Sequence, residues 1–468
     1  MRLSDIINLG KQYLLYGIIL SVIICSLVFF VYFIVYKKLS KGTKVLSRLK
    51  LFLLGVFICY ITVVLGAVFL VRADWGGGVR WLNLPLFSQY REAWHNWSFL
   101  EWRNIIFNIL MFVPMGILLP LLSDKFKSLW KTVCTGFAFT VFIESVQYFA
   151  RLGIADTDDI IGNTLGTLIG YGLVMCVLTI MDKAQRKPLK IIGYVSPLLI
   201  TILAFSTIFA AYHFKEFGNL FDNYYHRVNM SGVDISYTVE LSEEKARFDI
   251  YKTEPFNKKS AREFAEQFFD NLGTAFDNQR EPQLYDESAF YYSTDQHHLY
   301  IDYINNFYKL TDFKGFSEVE KDSTATENII REILAVDYKI ILPDNIKFIN
   351  LENGDYTLIS DSNANLIGTL NCSYYADGTI KNITNTLFES VFIRECEVIS
   401  QKDAFNKMER GNFQYSNNFY GELRSLEIIS VVLDNKLDTK GFYQPVYIFE
   451  VIINGINTTN ILIPALIK

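Results

Sequence analysis

Between residues 103 and 163 the chain sets out, in three short groups, side chains able to do chemistry. Asn104 and Asn108 stand at i, i+4, and Glu144 and Gln147 at i, i+3. Asp156, Asp158, Asp159 and Asn163 follow within GIADTDDIIGNTLG, and Arg103 and Arg151 flank these groups. Carboxylate oxygens from Glu144, Asp156, Asp158 and Asp159 could hold a hard divalent cation, and the guanidinium groups could pair with phosphate. Arg151 could equally neutralise a neighbouring carboxylate. The spacing fits no EF-hand, and no HExxH, Walker or GxSxG motif occurs. Taken singly, the amides suit interhelical hydrogen bonding, and Asp156 or Asp158 suits a helix cap at the positive end of the dipole. Taken together they exceed what helix packing needs, because an acid inside an apolar segment is costly and marks a functional candidate.

The elements that must position these groups are apolar helices. Runs 13–36, 51–71, 104–122, 132–149, 160–181 and 191–212 are each long enough to cross ~30 Å of hydrocarbon, which takes about 17 to 25 residues. Alternate loops carry Lys37, Lys38, Lys41, Lys44, Arg48 and Lys50, then Lys125, Lys127 and Lys131, then Lys183, Arg186, Lys187 and Lys190. The positive-inside rule puts these loops in the cytoplasm and both termini outside. The first run is too long for a signal peptide and has its heavier positive flank after it, so it reads as an uncleaved helix. On this topology the three polar groups lie in the outer leaflet, with Glu144 ~8 Å below the end of its helix. Gly162, Gly166 and Gly170 form a small-residue stripe that lets a neighbouring helix approach. Pro114, just before Gly116, predicts a kink in the third span. The loop holding Trp75, Trp81, Trp94, Trp97 and Trp102 reads as an interfacial anchor rather than a binding lid.

The chain has 468 residues, 51% of them hydrophobic and 20% charged, a length that implies at least two units. Its net charge of -5 and the lack of a face-sized basic cluster argue against a nucleic-acid partner. Past residue 213 the pattern changes. Ser260 with Glu263 predicts a capped helix stopping at Gly273, Thr324 with Glu327 a second that buries Ile329, Ile330, Ile333 and Leu334, and Ser400 a third ending at Gly411. Strand-like runs meet at the turn signals Asn353-Gly354, Asp377-Gly378 and Asn454-Gly455. Cys25, Cys59, Cys134 and Cys176 fall in apolar runs, while Cys372 and Cys396 could form a disulfide if their region is exported. His297 and His298 are adjacent, a poor geometry for one metal, and read as surface residues.

The expected fold is a membrane α-helical bundle of six spans followed by an extracytoplasmic α+β domain with mostly antiparallel sheet. The expected organisation is an N-terminal helix and basic loop (1–49), a helical membrane domain (50–182), a sixth span (183–212) and the exported domain (213–468).

NIIFNILMFVPMGILLPLL followed by IESVQYFARLGIADTDDIIGNTLGTLIGYG resembles the VanZ-like family of bacterial membrane proteins, known from resistance to the glycopeptide teicoplanin. Asn108, Phe112, Pro114 and Gly116 fit the family's NxxxFxPxG piece, Glu144 and Gln147 its ExxQ piece. Arg151, Asp156, Asp159, Asn163 and Gly166 fit its final piece. NLPLF departs from the more usual Pro-Phe ending. The resemblance implies a helical bundle in the bacterial plasma membrane and a link to glycopeptide response, without supplying a mechanism. The strands and YQPVYIFEVIING tail after 400 look faintly like PepSY-like extracytoplasmic domains. Two functions stay open. The bundle could bind a polar lipid headgroup or lipid-linked cell-wall precursor, with the exported domain engaging a protein partner. Alternatively, a divalent cation could make it an enzyme acting on a lipid-linked phosphate.

Overall fold

Side chains that must avoid water drive the first unit, and alternating patterns drive the second. The computed structural model describes residues 3–39, 47–70, 81–182, 188–220, 227–277, 279–314, 319–360, 365–415 and 420–467. Lys41, Lys44, Trp75, Lys183, Arg186 and Lys187, used above to read topology and the interface, lie outside them. The chain divides into one unit of Met1–Ala93 with Leu100–Lys215 and another of Trp94–Phe99 with Glu216–Lys468.

The first unit is built from α1 (Leu3–Phe30), α2 (Arg48–Leu65), α3 (Ser88–Asn96), α4 (Phe99–Leu122), α5 (Leu129–Ala150), α6 (Thr157–Met181) and α7 (Pro188–Phe214). Six helices of the described residues are long and apolar enough to cross a membrane, the first two extending into short π-helical turns. Two three-residue strands, β1 (Trp81–Asn83) and β2 (Ile154–Asp156), pair in parallel, with Asn83 opposite Asp156.

Packing in this unit depends on missing side chains and on few polar links. A Cβ on Gly166 would stand 2.0 Å from the Ile109 carbonyl oxygen, one on Gly170 2.0 Å from that of Val113, and one on Gly116 2.1 Å from that of Thr167. Helices α4 and α6 therefore touch backbone to backbone. Gly162, grouped with them by its spacing, meets only an ordinary 3.5 Å contact with Asn108 Cβ. Helix α4 continues through both Pro114 and Pro120. In the turn that Pro114 deprives of an N–H, the Tyr60 hydroxyl of α2 donates to the Met111 carbonyl at 3.1 Å. Ser21 of α1 donates to the Gly55 carbonyl of α2 at 2.8 Å. Trp102 is buried, with Phe205 and Phe209 of α7 at 6.0 and 5.4 Å between ring centroids, so it packs inside the bundle instead of anchoring at an interface.

The second unit carries α8 (Lys258–Asn271), α9 (Glu327–Val336) and α10 (Gln401–Glu409). An antiparallel eight-stranded sheet runs, in spatial order, through residues 283–284, 288–292, 297–302, 307–312, 380–385, 369–374, 355–359 and 347–350. Its core joins Phe268, Phe269, Ile330 and Leu334 of α8 and α9 to alternate residues of the strands. A second sheet holds 391–397, 247–252, 442–453, 425–437 and 234–237, with 457–464 pairing to 442–453. It is antiparallel except where 234–237 runs parallel to 425–428, and Ala404, Phe405 and Met408 of α10 share its core. The turn signals hold, with Gly354, Gly378 and Gly455 all at positive φ.

Details of capping and pairing differ from expectation. Asn257 is the N-cap of α8 and Ser260 its third residue, because the Asn257 side chain reaches the amides of Lys259 and Ser260 while Ser260 reaches back. Helix α9 starts at Glu327 behind the cap Thr326, two residues later than the expected cap Thr324, and Ile329 is left 39% exposed. Cys372 and Cys396 are both free and buried, each in the core of a different sheet, so no disulfide joins them. His297 and His298 are half-buried and diverge, His297 toward Ser293 and His298 toward Arg280, as neighbours on a strand must.

The α4–α6 contact yields a direct test. Gly166→Ala or Gly170→Ala is expected to cost about 1–3 kcal/mol by overpacking, read as a lower melting temperature in detergent, with Gly162→Ala close to the parent.

Candidate functional site

Helices α5 and α6 and the segment before α3 meet at one end of the bundle, and the polar groups meet there. Glu144, Gln147, Asp156, Asp158 and Asn163 are all at least nine-tenths buried. Each carboxylate has to find donors, since burying an unmet charge costs far more than a hydrogen bond returns.

The backbone supplies most of those donors. Asp156 closes the start of α6: its Oδ1 accepts from the Asp158 amide at 2.8 Å, its Oδ2 from Asn83 Nδ2 at 2.7 Å, and its own amide donates to Glu144 Oε2 at 3.0 Å. Asp158 turns the other way and receives the amides of Phe87 at 2.6 Å and Gln89 at 2.9 Å, with Ser88 Oγ at 3.3 Å. These are the first donors of α3, so a side chain of α6 caps another helix. Phe87 sits at φ 61, bent to present its N–H. Asp159 Oδ1 accepts from Asn108 Nδ2 of α4 at 2.5 Å and from Gln89 Nε2 at 2.9 Å. One turn deeper, Asn163 Nδ2 donates to Thr140 Oγ1 of α5 at 2.9 Å. Two helix N-termini, those of α3 and α6, thus face the carboxylates, a favourable field for negative charge.

Two neighbours feel that charge. Burial, and then Asp158 and Asp159, push the Tyr90 hydroxyl up to about 12. Burial, and then Asp156, hold the Glu92 carboxyl above its usual range.

Not every residue singled out from the sequence belongs here. Arg151 is exposed: it ends α5 in the left-handed conformation at φ 55, where the chain reverses into β2. Asn104, one turn before Asn108, is also exposed, so the two amides do not act together. Arg103 is buried on α4. Among the described residues no three His, Cys, Asp or Glu side chains are grouped to hold a metal ion. The oxygens offered as metal ligands at Asp156, Asp158 and Asp159 accept N–H groups instead.

Asn83, Ser88, Gln89 and Thr140 were not anticipated. Ser88 and Gln89, just after NLPLF and before a helical pattern, carry a helix-start signal that could have flagged the first three. Thr140 has none. What remains chemically open is a pair of acceptors: Gln147 Oε1 and Asn163 Oδ1 are buried and take no hydrogen bond among the described residues.

Asp158 makes three of the hydrogen bonds that join the loop to the bundle. Asp158→Ala is expected to cost about 1–3 kcal/mol and to open the segment around Tyr90 to limited proteolysis, while Asp158→Asn, which keeps one acceptor, falls between it and the parent.

Residues 17–179 match the VanZ/LLP1 family model. Protein VanZ of Enterococcus faecium is 30% identical over 107 residues, covering 22% of this chain and 62% of that protein. The chain thus spans less than two thirds of the length of that relative. The Glu144, Asp156, Asp159 and Asn163 cluster lies inside the matched segment 17–179, so the membrane unit that holds it is similar to the VanZ-like family.

Proposed function

We propose that the membrane unit binds the polar headgroup of a lipid, or of a lipid-linked cell-wall precursor, at the outer leaflet of the bacterial plasma membrane. On this reading the second unit is extracytoplasmic and engages a partner there, both termini lie outside, and the protein lowers the action of glycopeptides such as teicoplanin. The observation that carries the binding reading is the pair of buried, unmet acceptors, Gln147 Oε1 and Asn163 Oδ1, beside a set of buried carboxylates between apolar helices. An unpaired acceptor in a dry setting costs about 1–3 kcal/mol, a debt that a hydroxyl or amine donor on a ligand would remove. A bundle serving only as an anchor has no need of such groups.

The metal-dependent reading has less support, because the candidate carboxylates already accept hydrogen bonds from the loop and from each other's backbone.

Glu144→Gln and Asp159→Asn each keep an acceptor oxygen for the present donors while removing charge. Both are expected to insert and melt like the parent yet to lose most of any teicoplanin protection, measured as the inhibitory concentration in cells expressing equal amounts of protein. Full protection by both variants would sink the proposal.

A further inference from the structure

One face of the eight-stranded sheet packs on α8 and α9. Across the opposite face run two cavities, of about 540 Å³ and about 250 Å³, that share Lys309, Thr311 and Phe313 as walls. The strand register sets their lining in rows. Phe290 stands opposite Tyr300, Tyr300 opposite Lys309, Lys309 opposite Thr384, Thr384 opposite Asn371 and Asn371 opposite Thr357. A second row runs through His298, Thr311, Asn382 and Ser373.

The chemistry along these rows is uneven. Aromatic rings gather at one end, Phe290 and Tyr300 with centroids 4.7 Å apart and His298 and Phe313 4.3 Å apart. Hydroxyls and amides fill the rest. Charge is sparse: Lys321 is paired with Asp355 at 2.6 Å, and Lys309 is the one other lysine among the walls. Asn371 Oδ1 accepts from Thr357 Oγ1 at 2.8 Å, which fixes the amide of a residue that lines the larger cavity. A pyranose ring has C–H faces that stack on aromatic rings and hydroxyl edges that pair with amides and hydroxyls. An acetamido group adds one donor and one acceptor, matched by Asn371 and Thr384. Six strands span on the order of 24 Å, room for several sugar rings. An anionic ligand would find too few cations, and an apolar peptide too few aliphatic contacts.

We propose that this sheet face is a binding groove for a neutral, N-acetylated glycan chain, with Phe290, Tyr300 and Phe313 as the stacking platform and Thr384 and Asn371 as the polar readers. The groove extends the proposed function only by sharing its placement of this unit outside the cell; the membrane cluster takes no part in it.

The test uses the full-length protein in detergent, titrated calorimetrically with the hexamer of N-acetylglucosamine and with cellohexaose. Saturable binding of the acetylated hexamer is expected, with weaker binding of cellohexaose. Phe313→Ala, at a ring already 46% exposed and so safe for folding, should weaken binding about tenfold, and Asn371→Ala several-fold. Glu144→Gln should leave it unchanged, which separates failure of this groove from failure of the membrane site. Absence of saturable binding at millimolar hexamer, or parental affinity in both groove variants with parental melting, overturns the proposal.

Discussion

A carboxylate held between apolar helices must be met by donors, and Asp158 shows how this chain meets that demand. It is 3% exposed at the start of α6, and its partners come from outside the helix: the amides of Phe87 and Gln89. The segment ahead of α3 is therefore drawn onto the end of the bundle. Asn83 follows, bonded to Asp156 and aligned by the short parallel pairing of β1 with β2. The loop's position is thus a consequence of charge burial, since in low dielectric the loop amides are worth more to a carboxylate than they could be in water.

That arrangement presupposes helices at the right separation. Asp159 reaches Asn108 because α4 and α6 lie in backbone contact, and they do so because residues 166, 170 and 116 have no side chain. In a membrane, where lipid is as apolar as leucine, such close fitting replaces the hydrophobic drive that assembles soluble bundles. The glycine contacts and the polar contacts support each other along one pair of helices. A single turn deeper, Thr140 and Asn163 repeat the polar link between α5 and α6.

The second unit follows the rules of water-soluble proteins. Its helices bury one face each, and its two sheets keep separate cores, so Cys372 and Cys396 stay apart as inert, buried thiols; burial raises both, Cys372 to about 12. The covered face of the eight-stranded sheet is aliphatic and aromatic. Its opposite face, which the period of two sets apart from the core, gathers rings at one end and hydroxyls and amides along the rest, and that distribution gives the proposed glycan groove its character.

Much of this was legible from residue order alone. Six spans, the glycine stripe, the hairpin turns and the i, i+3 acid and amide of α5 are local: each depends on periodicity or on a backbone conformation that few residues adopt. The cap of α8 was misplaced by three residues and that of α9 by two, because several Ser, Thr and Asn close together offer equivalent caps and packing chooses among them. Residue order also determined that acids and amides would share one end of the bundle. Only the tertiary structure decided which of them face one another. Asn104 and Arg151 differ from Asn108 and Asp156 by a turn of helix or a single reversed φ, which no spacing rule encodes, and Asp158 became a cap for a helix some seventy residues away because burial left its charge no nearer donors.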